Sequence, residues 1–252
     1  MIRRLVTTIL CLLAVVTVAF CCTSCDSYGG VEQLLTPPRS GGELYDIQQA
    51  LYSFAGRSVK LHYAHTGDNR SAFIRSDLDS DGVNEAVAFY SVANADGLAE
   101  IHINIIDTVN GGWVSVCDTE TGASGIDKVE IASLSEKGAP VLAVGAELFS
   151  STANQINLFT YSNGHLYTRM KENYTRFLIC DLADVGYDQL VLLNVNSAER
   201  VAEAQVYSVG DDYTTLLGAA SVDGNISGVT AFSVGNLLDG RPALYIDSAK
   251  ST

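Results

Sequence analysis

Three segments of this chain lie on one another without a gap, and that internal repeat constrains the fold more than any single residue does. Residues 73–89 match residues 129–145 and again residues 177–193, each a strand-like run, a turn and a second strand-like run. A looser copy spans residues 232–246, with Asp239-Gly240 in its turn. The shared glycines Gly82, Gly138, Gly186 and Gly240 recur at intervals of roughly 50 residues, the length of one supersecondary unit stacked in an array.

Between the copies the sequence reads as further short strands. Residues 59–63, 86–92, 101–107 and 113–117 are rich in β-branched and aromatic side chains, and helical periodicity is absent from residue 58 onward. Asn110-Gly111-Gly112 and Asn163-Gly164 sit between such runs as tight hairpin turns. Gly122-Ala-Ser-Gly125 reads as a linker ahead of the second unit. Four short antiparallel strands per unit are the content of a propeller blade, so the expected fold class is all-β, a β-propeller-like array over residues 58–252. About three and a half blades can be counted. They leave the ring incomplete and a sheet edge open, which residues 59–63 could cover by joining the last blade. Further blades beyond Thr252, in a longer parent chain, are the other expectation.

The first copy carries a chemical signature the others lack. Asp77, Asp79, Asp81 and Glu85 can converge on one hard cation, with the Val83 carbonyl as a fifth oxygen donor and Gly82 allowing the sharp bend. Four carboxylates this close repel one another unless a cation or solvent screens them. A helix-loop-helix calcium site does not fit: its twelfth position would be Ala88 in place of a bidentate glutamate, and the flanks are strand-like. The stretch from Asp77 to Glu85 resembles the calcium loop of FG-GAP and VCBS repeats, which build integrin-type β-propellers and many bacterial surface proteins. The resemblance implies one structural Ca2+ held by Asp77, Asp79, Asp81, the Val83 carbonyl and Glu85 between the first two strands of a blade. The second copy offers Ser133, Ser135, Lys137 and Val141 at the acidic positions, and the third keeps only Asp181, with Ala183, Val185 and Gln189 elsewhere. Those loops are expected to hold no metal.

The N-terminus reads as an export signal. Arg3 and Arg4 precede an apolar run over residues 5–20, and Cys22-Thr23-Ser24-Cys25 follows. This segment resembles the lipobox of bacterial lipoproteins, although Cys22 stands where leucine is usual. The resemblance implies a signal peptide over residues 1–24 and a lipid on Cys25, placing the body at the extracytoplasmic face of the cell membrane. An uncleaved membrane anchor is the alternative. Residues 25–42, with Pro37 and Pro38, read as a flexible tether. Residues 43–57 carry Leu44, Ile47, Leu51 and Phe54 at helical spacing, one short amphipathic helix.

A formal charge of −14 opposes phosphate backbones, so nucleic acid is not an expected partner. Neither HExxH nor GxSxG occurs, and Cys117 and Cys180 read as apolar strand residues. His62 and His102 read as outward polar positions on strands, and Asp118, Glu120, Asp211 and Asp212 as turn or strand-end residues. No catalytic residue or organic cofactor site stands out. Twelve tyrosines against eight phenylalanines suit either blade-edge packing or an aromatic face for sugars or peptides. The sequence therefore points to a membrane-tethered binding or scaffold module with an unknown protein or glycan ligand. A polysaccharide or cell-wall hydrolase or lyase on the same blades is the alternative, and a purely structural assembly subunit is a third.

Overall fold

The computed structural model describes residues 42–252 apart from 93–98, 137, 150, 152, 211–212, 223–225 and 251–252. The signal segment, Cys25 and almost all of the tether lie outside the described residues, as do Asp211 and Asp212. The described residues form an antiparallel all-β chain preceded by one helix. Helix α1, Glu43–Ala55, buries Ile47, Ala50 and Leu51, and ends at Gly56, whose left-handed φ of 86° lets its N–H reach the Tyr52 carbonyl at 3.0 Å. Leu44 and Phe54, expected on the same apolar stripe, are 46% and 53% exposed, so the docking face is narrower than the spacing suggested. It packs against Phe73, Ala86, Ala88 and Ile106 of the sheet below.

The first strands are β1 (Lys60–His62), β2 (Phe73–Ser76), β3 (Glu85–Ser91), β4 (Ile101–Val109) and β5 (Gly112–Ala132). Both β1 and β2 pair with one edge of β3, at opposite ends of it. Residues 59–63 are therefore used in the first unit and do not complete the last. Asn110 and Gly111 both take left-handed φ, 53° and 80°, the conformation a two-residue hairpin between right-twisted strands requires.

β5 departs from the linker expectation. It is one strand of 21 residues whose first half pairs with β4 and whose second half pairs with β6 (Val141–Leu148). The ladder changes partner without breaking because Gly122, at φ 72°, turns the strand. The Thr121 hydroxyl also donates to the Ile101 carbonyl at 2.5 Å and accepts from the Ala123 N–H at 3.0 Å. With β7 (Asn154–Ser162) and β8 (His165–Tyr174), the first two four-strand meanders thus share a single eight-stranded sheet. A four-stranded sheet follows, formed by β9 (Arg176–Cys180), β10 (Gln189–Asn196), β11 (Val201–Val209) and β12 (Thr214–Val222). A two-stranded sheet of β13 (Ile226–Asn236) and β14 (Pro242–Lys250) comes last.

The strand register reproduces the gapless self-match. Ser76 faces Glu85, Ala132 faces Val141 and Cys180 faces Gln189, so the turns 77–84, 133–140 and 181–188 are equal in length. In the fourth copy Asn236 faces Pro242, a shorter turn, which is why that match is looser. Each long turn carries a leucine at its second position. Leu78 and Leu134 are fully buried and Leu182 is half-buried. Leu78 shares a core with Ile105 of its own meander and with Val144, Phe159 and Tyr161 of the next. Leu134 likewise shares a core with Ile156 and Leu158 of the second meander and with Phe177, Leu190 and Leu192 of the third. One side chain in each of these two turns therefore ties a meander to its successor. Leu134→Ala should lower stability by about 2–5 kcal/mol, read as a fall in the thermal midpoint that is the same with and without divalent cations.

Candidate metal centre

The turn between β2 and β3 is shaped by its own carboxylates. Asp77 accepts from the Asp81 N–H at 3.1 Å through Oδ1 and from the Gly82 N–H at 3.0 Å through Oδ2. Asp81 Oδ1 accepts from the Val83 N–H at 2.7 Å, and Asp79 Oδ1 lies 3.3 Å from the Asp81 nitrogen. Ser80 and Gly82 both take left-handed φ, 63° and 90°, which folds the acidic side chains toward one side.

The four predicted acids come together. Asp77, Asp79, Asp81 and Glu85 each place one carboxylate oxygen within 4.8 Å of the others. Two oxygens on opposite sides of a calcium-sized ion stand about 5 Å apart, so the four fit one coordination sphere. All the donors are hard oxygens, the set that suits calcium, magnesium or manganese and not a thiolate-seeking metal. Val83 turns its side chain to solvent, and its N–H serves Asp81.

Glu85 is unlike a surface ligand. It is fully buried, its Oε2 accepts from the Leu78 N–H at 2.6 Å, and its Oε1 has no partner. Burial pushes its carboxyl up to about 7, against the opposing pull of the Leu78 N–H, and the charges of Asp79, Asp107 and Asp81 push it further in the same direction. Burial and then the Asp81 charge likewise raise Asp79. An orphaned buried oxygen beside three more carboxylates is the arrangement that a bound cation satisfies. Asp107, on β4, is a residue that the sequence did not single out. Its charge acts on both Asp79 and Glu85, and only the β3–β4 register reveals the proximity.

The third turn has the same backbone with different chemistry. Asp181 accepts from the Val185 and Gly186 N–H groups at 2.9 and 2.8 Å, as Asp77 does from Asp81 and Gly82, and these bonds hold its carboxyl below the usual range. Asp184 and Gly186 repeat the left-handed φ of Ser80 and Gly82, at 53° and 85°. Gln189 occupies the place of Glu85 and accepts from the Ala183 N–H at 2.8 Å. In the second turn the Ser135 hydroxyl accepts from the Gly138 N–H at 2.8 Å.

The other candidates fall elsewhere. Asp118 and Glu120 lie within β5 and not at a turn, because β5 runs on through them. Asp118 accepts from Tyr90, Asn104 and His102, and His102 stacks on Tyr90 at 5.1 Å, so this histidine is braced and not merely outward. Cys117 and Cys180 are half-buried free thiols, and burial raises Cys180.

No protein-family model and no curated protein matches the chain. Fold and site define its class: among the described residues, an antiparallel all-β protein with one helix and an acidic turn able to hold a metal ion.

With chelator present, Glu85 gives a pH signature. Its carboxyl binds a proton more tightly folded than unfolded, so between about 4.5 and 7 the folded state holds more protons and stability falls as pH rises. Chelated wild type should lose on the order of 2 kcal/mol relative to Glu85→Gln across that window, measured by denaturant unfolding at stepped pH.

Proposed function

We propose that this chain is a membrane-tethered, extracytoplasmic binding or scaffold module, a β-propeller-like array stabilised by one calcium ion. The observation that carries the calcium reading is the buried, half-satisfied Glu85 facing Asp77, Asp79 and Asp81. Repetition of one strand-turn-strand register along three meanders supports the propeller-like reading. The Cys22-Thr23-Ser24-Cys25 sequence supports the lipid anchor on Cys25. Asp77, Asp79, Asp81, Glu85 and the Val83 carbonyl hold the ion. Its role is structural: occupancy stabilises the native state by mass action. Affinity on the order of 10⁻⁴ to 10⁻³ M suits a site outside the cell.

Ligand recognition belongs to the cleft of about 500 Å³ lined by Lys128, Tyr174, Arg176, Phe177 and Phe232. Its carboxylate, Asp127, is engaged by Tyr174 at 2.5 Å and Asn154 at 3.2 Å. A glycoside hydrolase needs two carboxylates across the bond it cuts. One bonded carboxylate among aromatic and cationic side chains favours a protein or glycan ligand over the hydrolase or lyase reading.

Millimolar calcium should raise the thermal midpoint of wild type above that in chelator, and Asp79→Ala should abolish most of the difference. Equal midpoints in wild type would reject the calcium reading. Separately, labelled fatty acid should enter the full chain in a bacterial host and be lost in Cys25→Ala; unchanged labelling of the variant removes the anchor.

A further inference from the structure

We propose that Asp107 is a fifth carboxylate of the cation site, acting on the ion from the neighbouring strand through a water molecule. This rests on the cation reading above. The β3–β4 pairing ends at Ala86 facing Ile106, which leaves Glu85 and Asp107 as the next residues on the two strands. Directly opposed side chains start roughly 5 Å apart at Cβ, and like charges so placed are destabilising. Asp107 is half-buried, Glu85 is fully buried, and the Glu85 Oε1 has no partner. A divalent ion in the turn removes that repulsion and gives both carboxylates a common counter-charge.

Asp107 is outside the set of four whose oxygens gather within 4.8 Å, so the contact assigned to it is through water and not direct. Its field reaches Asp79, Glu85 and the buried Tyr161 of the second meander, where burial and then Asp107 raise the phenol. The site therefore draws on β3 and β4 as well as the turn.

A purely structural aspartate and a member of the site differ in sign. Asp107→Asn should weaken calcium binding about three- to thirtyfold by isothermal titration, the effect of one charge a few ångströms beyond the ligands. The same variant should melt higher than wild type in chelator, because the repulsion with Glu85 is gone. Asp107→Ser, a second neutral variant at this half-buried position, should follow both signs. Calcium affinity within twofold of wild type, or a midpoint lowered equally with calcium and with chelator, overturns the role of Asp107 and leaves the four-acid site standing. Absence of any calcium heat and of any calcium-dependent midpoint in wild type overturns both.

Discussion

The burial of Glu85 is the constraint on which the first meander turns. A carboxylate removed from water loses several kcal/mol of hydration unless its oxygens find partners. Here one oxygen has the Leu78 N–H and the other has none. Leu78 is itself fully buried in the core shared by the first two meanders, so the bond that half-satisfies Glu85 also sets the leucine in place. Electrostatics in the turn and packing between meanders are thus joined through a single backbone N–H.

The same joining explains why β5 is continuous. Two meanders that share a buried core must keep a fixed relation, and a 21-residue strand belonging to both supplies one. Gly122 and the Thr121 hydroxyl let the strand bend where its partner changes, satisfying backbone groups that the bulges leave open. Between the second and third meanders the chain does break, at Thr175, where β8 ends and β9 begins. The third meander is tied to the second by Leu134, by the Val209 N–H bond to the Leu134 carbonyl at 3.0 Å, and by Phe177 set edge-on against Tyr174.

Much of this was legible in the residues. Turn length is written in the spacing between matched strands, because a gapless self-match requires equal registers, and the structure has them. The Asn-Gly hairpins were legible because their left-handed conformation excludes most other residues. Gly122 misled for the same reason: a left-handed glycine marks a bend, and sequence alone does not distinguish a bend within a ladder from a break between ladders. Asp107 was invisible because the acids its charge acts on, Glu85 and Asp79, lie 22 and 28 positions away in the chain and come near it only through the pairing of β3 with β4. Helix α1 was readable in place but not in width, since Leu44 and Phe54 obey the spacing yet find no sheet to cover them.

The third turn separates the two jobs that acids could perform in the first. Asp181, two left-handed residues and the Gln189 bond to the Ala183 N–H fold an eight-residue turn of this shape, with Ala183 and Val185 at the remaining ligand positions. Asp77 alone can therefore do for the first turn what Asp181 does for the third. Asp79, Asp81 and Glu85 also accept from the backbone, at the Asp81, Val83 and Leu78 N–H groups, but they concentrate more negative charge in this turn than the third turn carries at the matching positions. Uncompensated, that charge opposes folding, most strongly at Glu85, where no solvent screens it. A divalent cation held among these groups would turn them from a strain on the turn into a contact within it, beside the leucine that joins one meander to the next.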